Sequence, residues 1–234
     1  MLKEGRAKPS KVLVFAVLII VSATITAEYW DQTQTLSIFQ TRSDNFPQPL
    51  SSWDITLFTW LNINLYNNAV GQILLIVTLL GSLSASVMAC GTLFLTGQRR
   101  RAIIASVSLI LVSVLTAVLK SAFARPRPFI VVPGAVAFQL VSGWSFPSGH
   151  TSRVFSLLPS TKGMKRKIRL LGYSLAILVG FSRIYIGLHY PLDLVAGAAL
   201  GIAAGRITNH YEARIVPRVE HAMVRLGMSH STNP

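Results

Sequence analysis

Two histidines, one carboxylate and a few cations stand out in a stretch otherwise poor in charge. From Ile55 to Tyr211 the only acidic side chain is Asp193. It follows His189 by four residues, in a run that also holds Ser182 and Arg183. Upstream come Pro147-Ser148-Gly149-His150 and, before them, Lys120 with Arg127 and Pro128. Ionisable groups inside membrane-forming sequence are costly and mark function. The chemistry these types suit is phosphoryl transfer, which asks for positioning and for positive charge around the equatorial oxygens. Lys120, Arg127 and Arg183 supply the charge, and the planar fork of arginine fits phosphate oxygens in pairs. Snorkelling to an interface accounts for Lys120 at a helix end, but poorly for Arg183 inside an apolar run.

Ser148 is a good helix cap and Gly149 lets backbone approach closely, so this turn presents N–H groups that bind phosphate oxygens. An ordinary capped helix leaves His150 without a role. His189 and Asp193 stand at i and i+4 around a helix entry. A carboxylate that accepts from one ring nitrogen leaves the other to attack. Alone, that pair reads best as a structural hydrogen bond; beside a second histidine and three cations it reads as catalytic. The residues do not say which histidine attacks, although the Asp193 partner favours His189. Two histidines and a carboxylate also form a familiar iron-ligand set. Three nearby cations would repel a divalent ion, so the expectation is no metal and no cofactor.

The elements that must position these groups are membrane helices. The chain has 234 residues, 51% hydrophobic and 13% charged, with a mean hydropathy of +0.52; soluble domains carry about 25% charged residues. Cys90 is the one cysteine and sits in an apolar run, so it packs. The net charge of +14 falls in short clusters between apolar runs, as at cytoplasmic membrane margins, and no nucleic-acid-binding motif accompanies it.

Residues 1–11 form a basic tail, and 12–27 read as either a first span or a cleaved signal, with the N-terminus starting inside in both cases. Residues 53–61 alternate at helical spacing, as an interfacial helix or an ordered loop. Further spans are expected over 69–96, 102–119, 148–167, 170–188 and 191–207. The fourth is short and contains Pro159. The last carries Gly197, Gly201 and Gly205 on one close-packing face. Pro126, Pro128 and Pro133 exclude a continuous helix over 121–145. The expected fold is an all-α integral membrane protein, a six-transmembrane-helix bundle, with a catalytic domain over 12–208 and a polar basic tail over 209–234. Sixteen of the 22 lysines and arginines lie at the N-terminal tail, 99–101, 162–169 and 206–225. The positive-inside rule puts these, and both termini, in the cytoplasm, and the three motif blocks at the opposite face.

The three blocks resemble the signature of the type 2 phosphatidic acid phosphatase (PAP2), or lipid phosphate phosphatase, family: Lys-x6-Arg-Pro, Pro-Ser-Gly-His and Ser-Arg-x5-His-x3-Asp. Lys120 with Arg127-Pro128, Pro147 to His150, and Ser182-Arg183 with His189 and Asp193 meet it without substitution. The resemblance spans roughly 54–207. It implies a six-helix membrane enzyme without metal. His189 would form a phosphohistidine held by Asp193. His150 would protonate the leaving oxygen and later activate water. Lys120, Arg127, Ser148, Gly149 and Arg183 would hold the phosphate. The short fourth segment sits awkwardly with the family, as does Arg153, one turn from His150 where a neutral residue is expected. Arg153 and Arg125 are read as contacts to a headgroup or second phosphate.

The expected substrate is a lipid phosphomonoester or diphosphate, first a polyprenyl diphosphate such as undecaprenyl diphosphate. Phosphatidylglycerol phosphate, phosphatidic acid and a lipid A phosphate follow. A lipid-to-lipid phosphotransferase would use the same intermediate. A membrane anion or lipid-phosphate carrier is the alternative of another class, though no internal repeat supports it. The resemblance places the protein in a bacterial-type inner membrane with the site facing the periplasm or exterior. Its partners would be lipid phosphates and membrane lipids, without nucleic acid or an obligate protein partner.

Overall fold

The computed structural model describes residues 18–24 and 48–225. The basic tail 1–11, the flanks of the first expected span, Arg42 and residues 226–234 lie outside the described residues. Residues 18–24 are helical. The rest is all helix and loop, with no strand among the described residues.

The next helix, labelled α1 (Gln48–Thr59), continues through a π-helical turn, Trp60–Asn64. It buries Ser51, Asp54 and Phe58 while Trp53 and Trp60 stay half exposed. Trp is suited to that position, having an apolar body and a polar edge. The chain then bends by 117° into α2 (Asn68–Thr78). Asn67 caps α2 by accepting from Val70 N–H at 3.1 Å.

The expected continuous span over 69–96 is broken. Helix α2 ends in a 3-10 turn, Leu79–Gly81, and α3 (Leu83–Leu95) starts anew. Ser82 caps α3, accepting from Ala85 N–H at 3.0 Å. The break has a packing cause: a Cβ on Gly81 would lie 2.6 Å from Val179 and 3.0 Å from His150. The run reads as one apolar segment because a serine and a glycine barely lower its hydropathy.

Helix α4 (Arg99–Phe123) is long; 25 residues rise about 37 Å. It buries Ile103, Ile104, Leu109 and Val112 and exposes Ile110, Val114 and Val118, as expected of a bundle helix facing lipid on one side. It stops at Ala124, which adopts the left-handed conformation at φ 45°. The proline-rich loop that follows holds one short helix, α5 (Pro128–Val131).

The fourth expected helix is shorter than the sequence suggests. Helix α6 (Gly149–Leu157) passes into a 3-10 turn, Leu158–Thr161, at Pro159 and does not reach Lys167. Gly163, at φ 83°, turns the chain into α7 (Arg166–Tyr185). Helix α8 (Pro191–His210) follows. The segment Arg99–Val131, α7 and α8 are each long and apolar enough to cross a membrane, and the bent α1–α2 pair qualifies as one further span. Three or four such spans among the described residues compare with the six expected.

Helices α6 and α8 pack closely through the glycine ladder. A Cβ on Gly197 would meet Ser148 O at 2.7 Å, one on Gly201 Ser152 O at 2.4 Å, and one on Gly205 Ser156 O at 2.6 Å. Glycines four apart thus face carbonyls four apart, which is how small residues bring two membrane helices into backbone contact. The other side of α6 meets α4 through hydroxyls. Thr116 and Ser152 share a bond of 3.0 Å, and Ser108 donates to Ser156 O at 3.0 Å. Helix α9 (Glu212–Arg225) is amphipathic and lays Ile215, Val216 and Val219 on Ile103 and Ile104.

Candidate active site

One end of this bundle gathers all three motif blocks. His189 lies in the turn between α7 and α8, outside both spans. Asp193 lies in the first turn of α8, where the helix dipole favours a negative charge. His189 Nδ1 is 3.2 Å from Asp193 Oδ2. That carboxylate oxygen also accepts from Tyr190 N–H at 3.0 Å and from the Ser145 hydroxyl. The imidazole therefore carries its proton on Nδ1 and turns Nε2 the other way, where Arg127 Nη1 stands 3.3 Å off. Burial, then the charges of Arg127, Lys120 and Arg183, push this imidazole well below the ordinary histidine range and keep it neutral.

Arg127 is held by carbonyls: Nε donates to Gly143 O at 2.9 Å, Nη2 to Ser142 O at 2.9 Å and Nη1 to Leu188 O at 3.0 Å. Lys120, near the end of α4, donates to Trp144 O and, at 3.3 Å, to Ser145 O. The two cations thus shape the 142–145 loop beside His189. Arg183 is 2% exposed and donates Nη1 to Thr78 Oγ1 at 3.0 Å. Its Nε is buried and has no partner among the described residues. A charged donor so placed calls for an anionic acceptor.

Ser148 caps α6, accepting from Thr151 N–H at 3.4 Å and from the Thr151 hydroxyl at 3.0 Å. Its own N–H donates to Asp193 O at 2.9 Å, which ties the start of α6 to the start of α8. The first-turn N–H groups beyond it, with Gly149, stand at a helix start, where backbone donors and the dipole favour an anion. His150 is half buried against Gly81 and makes no hydrogen bond among the described residues. Arg153 folds back along the helix, its Nη2 3.5 Å from where a Cβ on Gly149 would stand. All eight residues assigned from the motifs, and Arg153, therefore belong to one region.

Arg125 is the correction. Read as a contact to a headgroup or second phosphate, it is instead fully buried, with its Nη1 2.7 Å from Asp54 Oδ2 and 2.9 Å from Asp193 Oδ1. Its guanidinium carbon lies 3.8 Å above the Tyr190 ring. Asp54 Oδ1 in turn accepts from Leu192 N–H at 2.8 Å. Two buried carboxylates need a cation, and Arg125 is that cation.

Sequence reasoning missed Asp54, Ser145, Thr78 and Asn62. Asn62 is buried, donates to Tyr185 O at 2.7 Å and Val136 O at 2.9 Å, and accepts from Val136 N–H at 2.8 Å. It stitches the loop after α5 onto the end of α7. The one available signal was Asp54, a charged residue at helical spacing from Phe58 and Leu61. No cluster of three His, Cys, Asp or Glu able to hold a metal ion occurs among the described residues.

The family description that matches is the PAP2 superfamily, over residues 101–216. That span contains all three motif blocks. The chain belongs to the PAP2 superfamily. An undecaprenyl-diphosphatase of Sulfolobus acidocaldarius is 40% identical over 101 residues, covering 41% of this chain and 47% of that protein. The chain spans about half the length of the curated relatives it matches. Among solved structures, that of Aquifex aeolicus LpxE superposes with a TM-score of 0.65 at 28% identity, covering 73% of this chain and all of the other. A transmembrane PAP2 type phosphatidylglycerolphosphate phosphatase of Bacillus subtilis superposes with a TM-score of 0.63 at 20% identity, covering 87% and 96%. The protein is thus a membrane-embedded member of the superfamily.

Proposed function

We propose that this protein is a metal-independent lipid phosphatase that works through a phosphohistidine on His189. The observation that carries the reading is the orientation of that ring: Nδ1 toward Asp193, Nε2 toward Arg127. Nε2 attacks the terminal phosphorus, an N–P bond forms, and the P–O bond to the lipid breaks. His150 gives its proton to the departing oxygen. Lys120, Arg127, Arg183 and the α6 N-terminus hold the charge on the equatorial oxygens. His150 then takes a proton from water, the water oxygen attacks phosphorus, and the N–P bond breaks to free inorganic phosphate and restore His189.

The preferred substrate is a polyprenyl diphosphate such as undecaprenyl diphosphate. The Sulfolobus relative's name supports this choice, and a cation beyond the three of the family motif, Arg153, near the start of α6 suits a second phosphate. Six membrane-crossing segments remain our reading, with 12–27 as the first, a broken second and a short fourth. The cation count supports cytoplasmic termini and a site that faces away from the cytoplasm. The test is a panel of lipid phosphates in detergent with EDTA present. Phosphate release led by the polyprenyl diphosphate is the expected result. Release that requires added metal, or none from any lipid, would overturn the reading.

A further inference from the structure

The end of the bundle away from the active site holds a polar concavity. It is an open cavity of about 560 Å³ lined by the turn after α6, the start of α7 and the end of α8. Arg206, one of its walls, comes 15 residues after Pro191, so it lies about 22 Å along α8 from the catalytic end. Lys162, Arg166, Arg169 and Arg206 line the cavity, with His210 and Asn209 beside them. No acidic residue lines it. None of the four cations makes an ion pair among the described residues.

Convergence makes this more than a positive-inside margin. Four cations from three elements line one concavity with no acid among them. Helix α7 adds to it: its N-terminus has no acidic residue in the first turn and no side-chain cap. Arg166 thus sits at the positive end of a helix dipole, the unfavourable end for a cation. Such an arrangement is stable when an anion occupies it. Leu158, Leu170 and Tyr173 form its apolar wall, and Ile168 and Leu171 of helix α7 are exposed apolar side chains. Phosphate chemistry on one side and acyl-chain chemistry on the other define an amphiphile.

We propose that this cavity is a binding site for the phosphate headgroup of an anionic phospholipid, in the leaflet opposite the active site. Basic pockets between membrane helices are suited to such headgroups. The site is separate from the catalytic centre, and the proposal does not depend on the phosphatase reading.

The test is native mass spectrometry of the full chain in detergent with added phosphatidylglycerol or phosphatidylcholine. One phosphatidylglycerol should be retained in preference to phosphatidylcholine. Arg166→Gln with Arg206→Gln should weaken that retention by about tenfold, as should Lys162→Gln with Arg169→Gln. Arg183→Gln, in the catalytic site, should leave it intact. Glycerol 1-phosphate, a headgroup without acyl chains, separates the sources. Failure to displace the lipid at millimolar concentration supports a lipid site. Displacement with equal retention of glycerol 1-phosphate assigns the cavity to free phosphates and overturns the lipid source. Equal retention of both phospholipids, or loss only in Arg183→Gln, overturns the site.

Discussion

Cations occur at both ends of this bundle, under opposite conditions. At the catalytic end Arg125, Arg127 and Arg183 are buried, and each donates to a carboxylate, a carbonyl or a hydroxyl. At the other end Lys162, Arg166, Arg169 and Arg206 are exposed and face no acid. A buried charge must be satisfied by fixed partners, so the first set is pre-organised and intolerant of change. An exposed charge is screened and adaptable, so the second set can exchange partners. Catalysis needs the former, because donors fixed in advance need no reorganisation when charge develops.

The largest effect that sharpens the contrast lies at His189. His189→Ala should abolish turnover and any labelled phosphoenzyme, whereas Arg206→Gln should leave turnover in detergent unchanged. His150→Ala should slow turnover yet leave a trappable phosphoenzyme with an activated substrate. Label that persists in His189→Ala and vanishes in His150→Ala would exchange the two roles.

The buried network should come next. Arg125→Leu leaves Asp54 and Asp193 without their cation, and breaking a buried pair in this way costs about 3–5 kcal/mol. Thermal unfolding in detergent should register the loss, and turnover should fall with it. Asp54→Asn keeps the shape, and Asn can still accept from Leu192 N–H. It should lower kcat more than it changes KM, because it alters the setting of Asp193 rather than any substrate contact. Full activity in Asp54→Asn would confine Asp54 to a structural part.

The charge around His189 offers a third handle. Its imidazole should titrate well below the usual value of about 6.5, and so stay neutral and nucleophilic through neutral pH. Removing a cation should undo part of the depression. Arg127→Gln should therefore raise the titration midpoint, while Arg166→Gln should not move it. Imidazole signals of isotope-labelled protein followed by NMR would show both. An equal shift in the two variants would mean that the ends of the bundle are not electrically independent.

That the motif residues meet at one end was largely legible in the sequence, because cations are costly in an apolar background and the two motifs that carry them, with Pro147-Ser148-Gly149-His150 between, point to one shared anion. Gly197, Gly201 and Gly205 were legible too, since spacing alone sets the face they share. Arg125 was not. Its spacing places it beside Arg127 and says nothing of Asp54, 71 residues earlier, which neutralises it. The break at Leu79–Gly81 was hidden for a related reason. Its cause is a close approach by His150 and Val179, contacts made across the fold and absent from local periodicity.

The smallest predicted effect concerns Arg153, which stands between the two conditions: partly exposed, and on the same helix face as His150. With Arg125 committed to two carboxylates, Arg153 is left as the additional cation for a second phosphate. Its guanidinium lies against Gly149, at the helix end proposed to hold the first phosphate. A charge-assisted hydrogen bond contributes roughly 1.5–3 kcal/mol, about ten- to hundredfold in affinity or rate. Only a diphosphate has a distal group to collect that contribution. Arg153→Gln should therefore lower kcat/KM on a polyprenyl diphosphate at least severalfold more than on the monophosphate of the same lipid. Equal losses would make Arg153 part of the common phosphate site. No loss on either substrate would place it with the adaptable cations, reaching toward lipid headgroups instead of the reaction centre.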